Sequence, residues 1–207
     1  MEKEELIPTQ QVGQQTDACK EEVFSSPDEA KKAYNAAKIC LLDVNQWHKI
    51  SSVEASRFTL FNKNGEPLFR SAQESDYMRI DIPGPGTEEG KGYDWVCIEH
   101  LESFSSVESD VDFTLFVARP CAVPGSAERN TAHFFTEQAT STFLVFRRSN
   151  VLSAEVHGRN EVANIAGKNL ADKARNLMVN GGSSIGMSYA QWHLLVSGII
   201  AEAKESF

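Results

Sequence analysis

The chain has no CxxC pair. Its four cysteines, Cys19, Cys40, Cys97 and Cys121, are scattered, which excludes the spacings of a zinc site and of a thioredoxin-type redox motif and leaves ordinary thiols. Positive charge is scarce, with 20 Lys and Arg against 29 Asp and Glu and a net charge of −9. Nucleic acid and anionic membrane both attract a basic footprint, so neither is expected as a partner. No run approaches the roughly 20 apolar residues of a membrane span. The acidic opening Met1-Glu-Lys-Glu-Glu-Leu lacks the apolar stretch of a secretory leader, so a cytoplasmic protein without membrane insertion is expected. The five histidines, His48, His100, His133, His157 and His193, show neither H-x-H nor HExxH spacing, and there is no G-x-S-x-G elbow. No metal or cofactor is expected on these grounds. The glycines of residues 83–92 fit no phosphate-binding pattern, and a strand follows them, so they read as a flexible connection or a lid over a pocket.

What is present suffices for a packed core: 207 residues, 41% of them hydrophobic. Residues 1–17 are polar and aperiodic and read as a disordered tail, leaving 18–207 as one domain. A short strand over 22–25 leads to Ser26-Pro27-Asp28-Glu29, a helix start with a capping hydroxyl, a proline at the first helical position and two acids at the positive end of the dipole. The helix should run over 27–42, with Ala30, Ala33, Tyr34, Ala37, Cys40 and Leu41 as its mostly apolar stripe. From Arg57 the period changes to alternation. Strands are expected at 57–61 and 67–70 around Asn64-Gly65, then at 77–82, 93–104, 111–119, 133–147, with a break near Gln138 left open, and 151–158. Helical spacing returns at 170–178, which Gly181-Gly182 stops. Ser188 can cap a last helix from Tyr189 to about Lys204, with Tyr189, Trp192, Leu195, Val196, Ile199, Ile200 and Ala203 on one broad face. Such an order makes an α+β domain in which that helix covers the sheet.

The words Phe24-Ser-Ser-Pro-Asp-Glu-Ala30 and Asp43-Val-Asn-Gln-Trp47, with this order of elements, resemble the START-like (SRPBCC) helix-grip superfamily. The resemblance implies a curved antiparallel sheet of about six or seven strands gripping a C-terminal helix. It also implies a cavity between them for a small apolar or amphipathic molecule, used in some members for cyclase or dehydratase chemistry. Whether this chain is an enzyme stays open, as does a pocketless interaction protein.

Five residues stand out as ligand-binding candidates: Trp95, His157, Arg159, Glu161 and Trp192. In a strand, Tyr93, Trp95 and Cys97 share one side and Asp94, Val96, Ile98 and His100 the other. Trp95 lines a cavity if the aromatic side faces the helix. His157, Arg159 and Glu161 share a side if the strand persists, and an arginine beside a carboxylate could hold an anionic head at a pocket mouth. Against this, Leu152, Ala154 and Val156 make the inward row, which leaves Ser153, Glu155 and His157 in solvent as a solvated face or structural ion pair. Trp192 anchors the last helix to the sheet.

Overall fold

The computed structural model describes residues 3–51, 56–81, 87, 89–164 and 183–206. It contains strands β1 (Gln14–Val23), β2 (Arg57–Phe61), β3 (Tyr77–Asp81), β4 (Asp94–Ser106), β5 (Val111–Pro120), β6 (Thr140–Arg148) and β7 (Val151–Glu161). Its α-helices are α1 (Pro27–Leu42), α2 (Trp47–Ile50) and α3 (Ser183–Glu205). All seven strands form one antiparallel sheet in the order β1-β7-β6-β5-β4-β3-β2. The C-terminal helix packs on α1, β1 and β7, which is the helix-grip arrangement. No helix among the described residues is long and apolar enough to cross a membrane.

The first helix forms where its cap requires it: the Ser26 hydroxyl accepts the Glu29 backbone N–H, with Pro27 at the first helical position. Its buried stripe is Ala30, Ala33, Tyr34, Ala37 and Leu41. Small residues there let the helix lie close to the sheet, and Tyr34 reaches its polar end to Thr114, 2.8 Å away. Trp47 is fully buried and donates from Nε1 to the carbonyls of Cys40 and Leu41. Its ring meets Phe58, Phe116 and Phe143 at centroid distances of 5.2, 6.1 and 5.0 Å. An indole with its N–H satisfied can serve as a core anchor without a desolvation cost.

Alternation sorts the sheet into two faces. Met78, Ile80, Val96, Ile98, Phe116, Ala118, Phe143, Val145, Leu152, Ala154 and Val156 join the helices in the main core. Val111, Phe113, Leu115, Leu144 and Phe146 form a second cluster on the opposite face, and Phe61, Trp95 and Ala132 a third. The sheet is therefore apolar on both sides at its centre, and irregular chain covers the face without helices. Leu6, from the 3-10 turn Lys3–Leu6, packs on the second cluster.

Several expectations need correction. The first strand begins at Gln14, inside the segment read as a tail, and pairs with β7 along its length. It is an edge strand in which only Ala18 is buried, so backbone pairing holds it and no hydrophobic period announces it. Residues 67–70 add only a bridge from Pro67 to Phe61, and β2 pairs with β3 instead. The strand expected at 133–147 starts at Thr140. Ser153, Glu155 and His157 are buried, because β1 and the N-terminal segment cover them. The last helix starts at Ser183, so Gly186 lies within it and Ser188 is no cap. A glycine inside a helix costs only about 1 kcal/mol, which packing offsets. The expected helix at 170–178, its stop at Gly181-Gly182, and residues 82–86 and 88 of the strand end and loop lie outside the described residues. Gly198 has a specific task in α3: a Cβ there would stand 2.0 Å from the Ile50 carbonyl oxygen, so its absence lets α3 touch the end of α2.

Candidate functional site

The helix-facing side of the sheet ends where β4 begins and β7 stops. Asp94 opens β4 on the same side as Val96 and Ile98, as the alternation predicts, and that side faces the helices. Its cross-strand neighbour is Ile80, itself paired with Phe58. Asp94 is 5% exposed and its Oδ1 has no hydrogen-bond partner among the described residues. Burial pushes its carboxyl up to about 7, only partly offset by the backbone N–H of Phe134.

Glu161 reaches the same face by a backbone irregularity. Between Gly158 and Glu161 the pairing with β1 slips, two residues of β7 standing against one, and Asn160 takes a left-handed φ of 56°. Such a bulge inverts the alternation. Arg159 stays with His157 while Glu161 turns to the side of Gly158. There its carboxyl folds over the space a side chain at 158 would fill, an added Cβ standing 2.2 Å from Glu161 Oε1. Oε1 accepts the Thr16 hydroxyl at 3.0 Å, Oε2 has no partner among the described residues, and burial raises the pKa.

Between these two carboxyls lies a short ladder made by chain outside the named strands. Phe135 bridges Ala163, the Thr136 N–H donates to Val162 O, and the Asn164 N–H donates to Phe134 O at 2.8 Å. His133 is enclosed there, stacked on Phe134 at 4.4 Å, with Nδ1 accepting the Phe135 N–H. Burial pushes it down to about 3, so it is a neutral structural imidazole near neutral pH. Trp192, half-buried on α3, lies against Phe58 at 5.9 Å and Phe143 at 5.2 Å.

The five expected site residues therefore divide. Glu161 and Trp192 lie on the helix-facing side; Trp95, His157 and Arg159 lie on the other. Trp95 packs on Phe61 at 5.1 Å beside Ala132, away from the helices. Its side of β4 was read correctly, and that side is the one turned from the helix. His157 bridges Asp17 through Nδ1 at 2.6 Å and Glu155 through Nε2 at 2.9 Å. Arg159 donates to Asp17 Oδ1 at 2.8 Å and to the carbonyls of Thr16 and Gly158. Lys3 completes the group with a 2.7 Å contact to Glu155. These charges satisfy one another: Glu155, despite its burial, is held down at about 2 by His157, Lys3 and Ser153, and the same carboxylates raise His157 against the effect of its burial. No guanidinium is offered to an anionic head on the helix-facing side by Arg159.

Sequence reading missed Asp94, although its signal was present. An acid in phase with the apolar row Val96-Ile98 is the pattern of a buried carboxyl. Thr16 could not be found, because its strand carries no period.

No family model and no curated protein matches the chain. Solved structures similar to it include a truncated norcoclaurine synthase from Thalictrum flavum, at 9% identity and a TM-score of 0.40, covering 97% of this chain and 100% of that one. The major latex-like protein 151 of Panax ginseng is similar at 11% identity and a TM-score of 0.34, covering 92% and 99%. Ara h 8.0201 is similar at 10% and 0.36, covering 93% and 100%. At such scores the fold rests on this chain's own strand order and helix placement.

Proposed function

We propose that the protein binds a small apolar or amphipathic molecule on the helix-facing side of the sheet, against α3. The observation that carries this reading is two buried carboxyls, Asp94 and Glu161, each with an oxygen that has no partner among the described residues, on the face that also carries Phe58, Phe143 and Trp192. Burying a polar group without a partner costs a few kcal/mol, a cost that a ligand supplying the missing partner removes. Native mass spectrometry with a broad panel of apolar and amphipathic compounds tests it: a saturable one-to-one adduct supports binding, and a panel without any adduct overturns it.

A second reading is an enzyme of the cyclase or dehydratase kind in the same place. Asp94 favours it, since a carboxyl pushed up to about 7 is poised to exchange a proton at neutral pH. An Asp94→Asn variant that keeps ligand binding but loses turnover separates the two readings.

A further inference from the structure

We infer that Cys97 and Cys121 form a dithiol redox site, which exchanges with small disulfides and closes to an intramolecular disulfide. It lies on the face turned from the helices, apart from the binding site proposed above. The spacing of the two cysteines in sequence matches no redox motif; the fold brings them together. Cys97 stands in β4 opposite Arg119 of β5. Cys121 follows β5 and continues its pairing, its N–H donating to Trp95 O at 3.0 Å. Residues two apart on a strand share a face, so Cys97 and Cys121 are diagonal neighbours beside Trp95 and Arg119. The Cys121 thiol is hydrogen-bonded to the Cys97 sulfur. Tyr77, opposite Cys97 in β3, and Cys121 both pack on the cluster of Phe61, Trp95 and Ala132. Both cysteines are half-buried, within reach of solvent.

The two thiols are unequal. The S–H of Cys121 supports a thiolate on Cys97 and lowers its pKa, while the same contact and burial push Cys121 up. Cys97 therefore attacks and Cys121 resolves. In the first step Cys97 gives its proton to solvent and its sulfur attacks one sulfur of the small disulfide. The bond between the two small-molecule sulfurs breaks, and one small thiolate leaves and takes up a proton. In the second step the Cys121 sulfur attacks the Cys97 sulfur, and the Cys121 proton goes to the second departing thiolate. The two cysteines are oxidised and the small disulfide is reduced to two thiols. The other thiols are poorer nucleophiles: burial and Glu155 push Cys19 up to about 11, and burial raises Cys40. Diagonal neighbours start with Cα atoms about 7–8 Å apart, beyond the roughly 4.4–6.8 Å of a relaxed disulfide, so closing the bond draws Cys121 toward β4. Cys121 lies past Pro120, the last residue of β5, which confines the shift to the strand end. A bond closed under such strain is readily reduced, so the site is reversible.

The test incubates the full chain with glutathione disulfide near neutral pH, blocks the remaining thiols with iodoacetamide and maps the digest by mass spectrometry. A cross-linked peptide pair joining Cys97 to Cys121 is expected, with Cys19 and Cys40 alkylated, and dithiothreitol should restore all four thiols. Cys121→Ser is expected to stop at a glutathione mixed disulfide on Cys97, and Cys97→Ser to slow modification of Cys121 at least tenfold. Mixed disulfides spread over the four cysteines without the Cys97–Cys121 link, a link between other cysteines, or no oxidation at all overturns the inference. A Cys121→Ser chain whose Cys97 reacts no faster than Cys19 overturns it as well. Should either variant fail to fold, the peptide map of the unaltered chain still decides the matter.

Discussion

The two faces of the sheet treat buried carboxyls in opposite ways. On the face turned from the helices, Glu155 is 2% exposed and surrounded by donors, with Lys3, Ser153 and His157 all in contact, and its pKa falls to about 2. On the helix-facing side Asp94 is nearly as buried, meets the backbone N–H of Phe134, and rises to about 7. Burial is the same in both places; the partners differ. A buried acid with its donors supplied stays ionised as part of the frame, and one with few donors holds its proton to higher pH. The densest polar word in the sequence, His157 to Glu161, belongs mostly to the frame.

The largest effect should come from breaking the partnered cluster. Replacing Glu155 by alanine removes the carboxylate that Lys3 and the buried His157 share, leaving the partly exposed Lys3 ammonium with Glu21 at 3.9 Å and His157 with Asp17 alone. Truncating one member of such a network costs roughly 3–5 kcal/mol. Urea denaturation of Glu155→Ala at pH 7 measures it, and a loss below about 1 kcal/mol would show that Lys3 and His157 find water instead. The pH dependence has a definite sign. Glu155 is depressed, so its stabilisation is complete above its unfolded value near 4.3 and is lost as pH falls through about 2. His157 is raised, so its contribution is complete below about 6.5 and is lost as pH rises through its folded value.

Asp94 should behave in the reverse sense. Its folded pKa, about 7, exceeds the unfolded value near 3.9. The folded state therefore binds the proton more tightly, and stability declines as pH rises from about 4 to about 7, then levels. Asp94→Asn removes that titration. The variant should be more stable than the parent by about 2–4 kcal/mol at pH 8, and the gain should vanish near pH 4. Denaturant midpoints at the two pH values decide it, and a gain independent of pH would mean that Asp94 does not titrate in this range.

The contrast between the faces also shows how far the sequence could be read. The first helix was legible to the residue because Ser26 and Pro27 mark its start by local chemistry, and the division of β4 into an Asp94 side and a Trp95 side followed from the pleat alone. Which side faces the helices did not follow, since both carry large apolar groups and the decision is made by distant chain. The end of β7 was misread for a single cause: a left-handed residue at Asn160 inverts the alternation, which sends Glu161 inward and leaves Arg159 outside. The N-terminal segment was illegible because its contacts, such as Lys3 to Glu155, are polar and span about the length of the domain in sequence. Periodicity cannot reveal a segment held by charge.

Trp192→Ala probes the aromatic wall of the unsatisfied side. Its indole is half-buried against Phe58 and Phe143, so the loss should be about 2–3 kcal/mol, below the range for a fully enclosed ring. The more telling readout is octanol binding, which should weaken with the ring removed while Trp95→Phe, on the other face, leaves it unchanged. Equal effects from the two substitutions would mean that binding does not distinguish the faces.

The smallest expected effect concerns Arg159. Its guanidinium is 12% exposed and joins Asp17 to the backbone of β1 and β7, at the rim of the partnered cluster. Asp17 keeps His157 as a partner when Arg159 is removed, so Arg159→Ala should cost about 1–2 kcal/mol, the usual range for a hydrogen bond to a charged group lost near a surface. Binding of octylamine and octanoate should stay within twofold of the parent, because the side chain points away from the helix-facing interior. A tenfold loss of octanoate binding in this variant would place an anionic head beside Arg159 after all, and would move the ligand site to the face on which Glu155 and His157 are already satisfied.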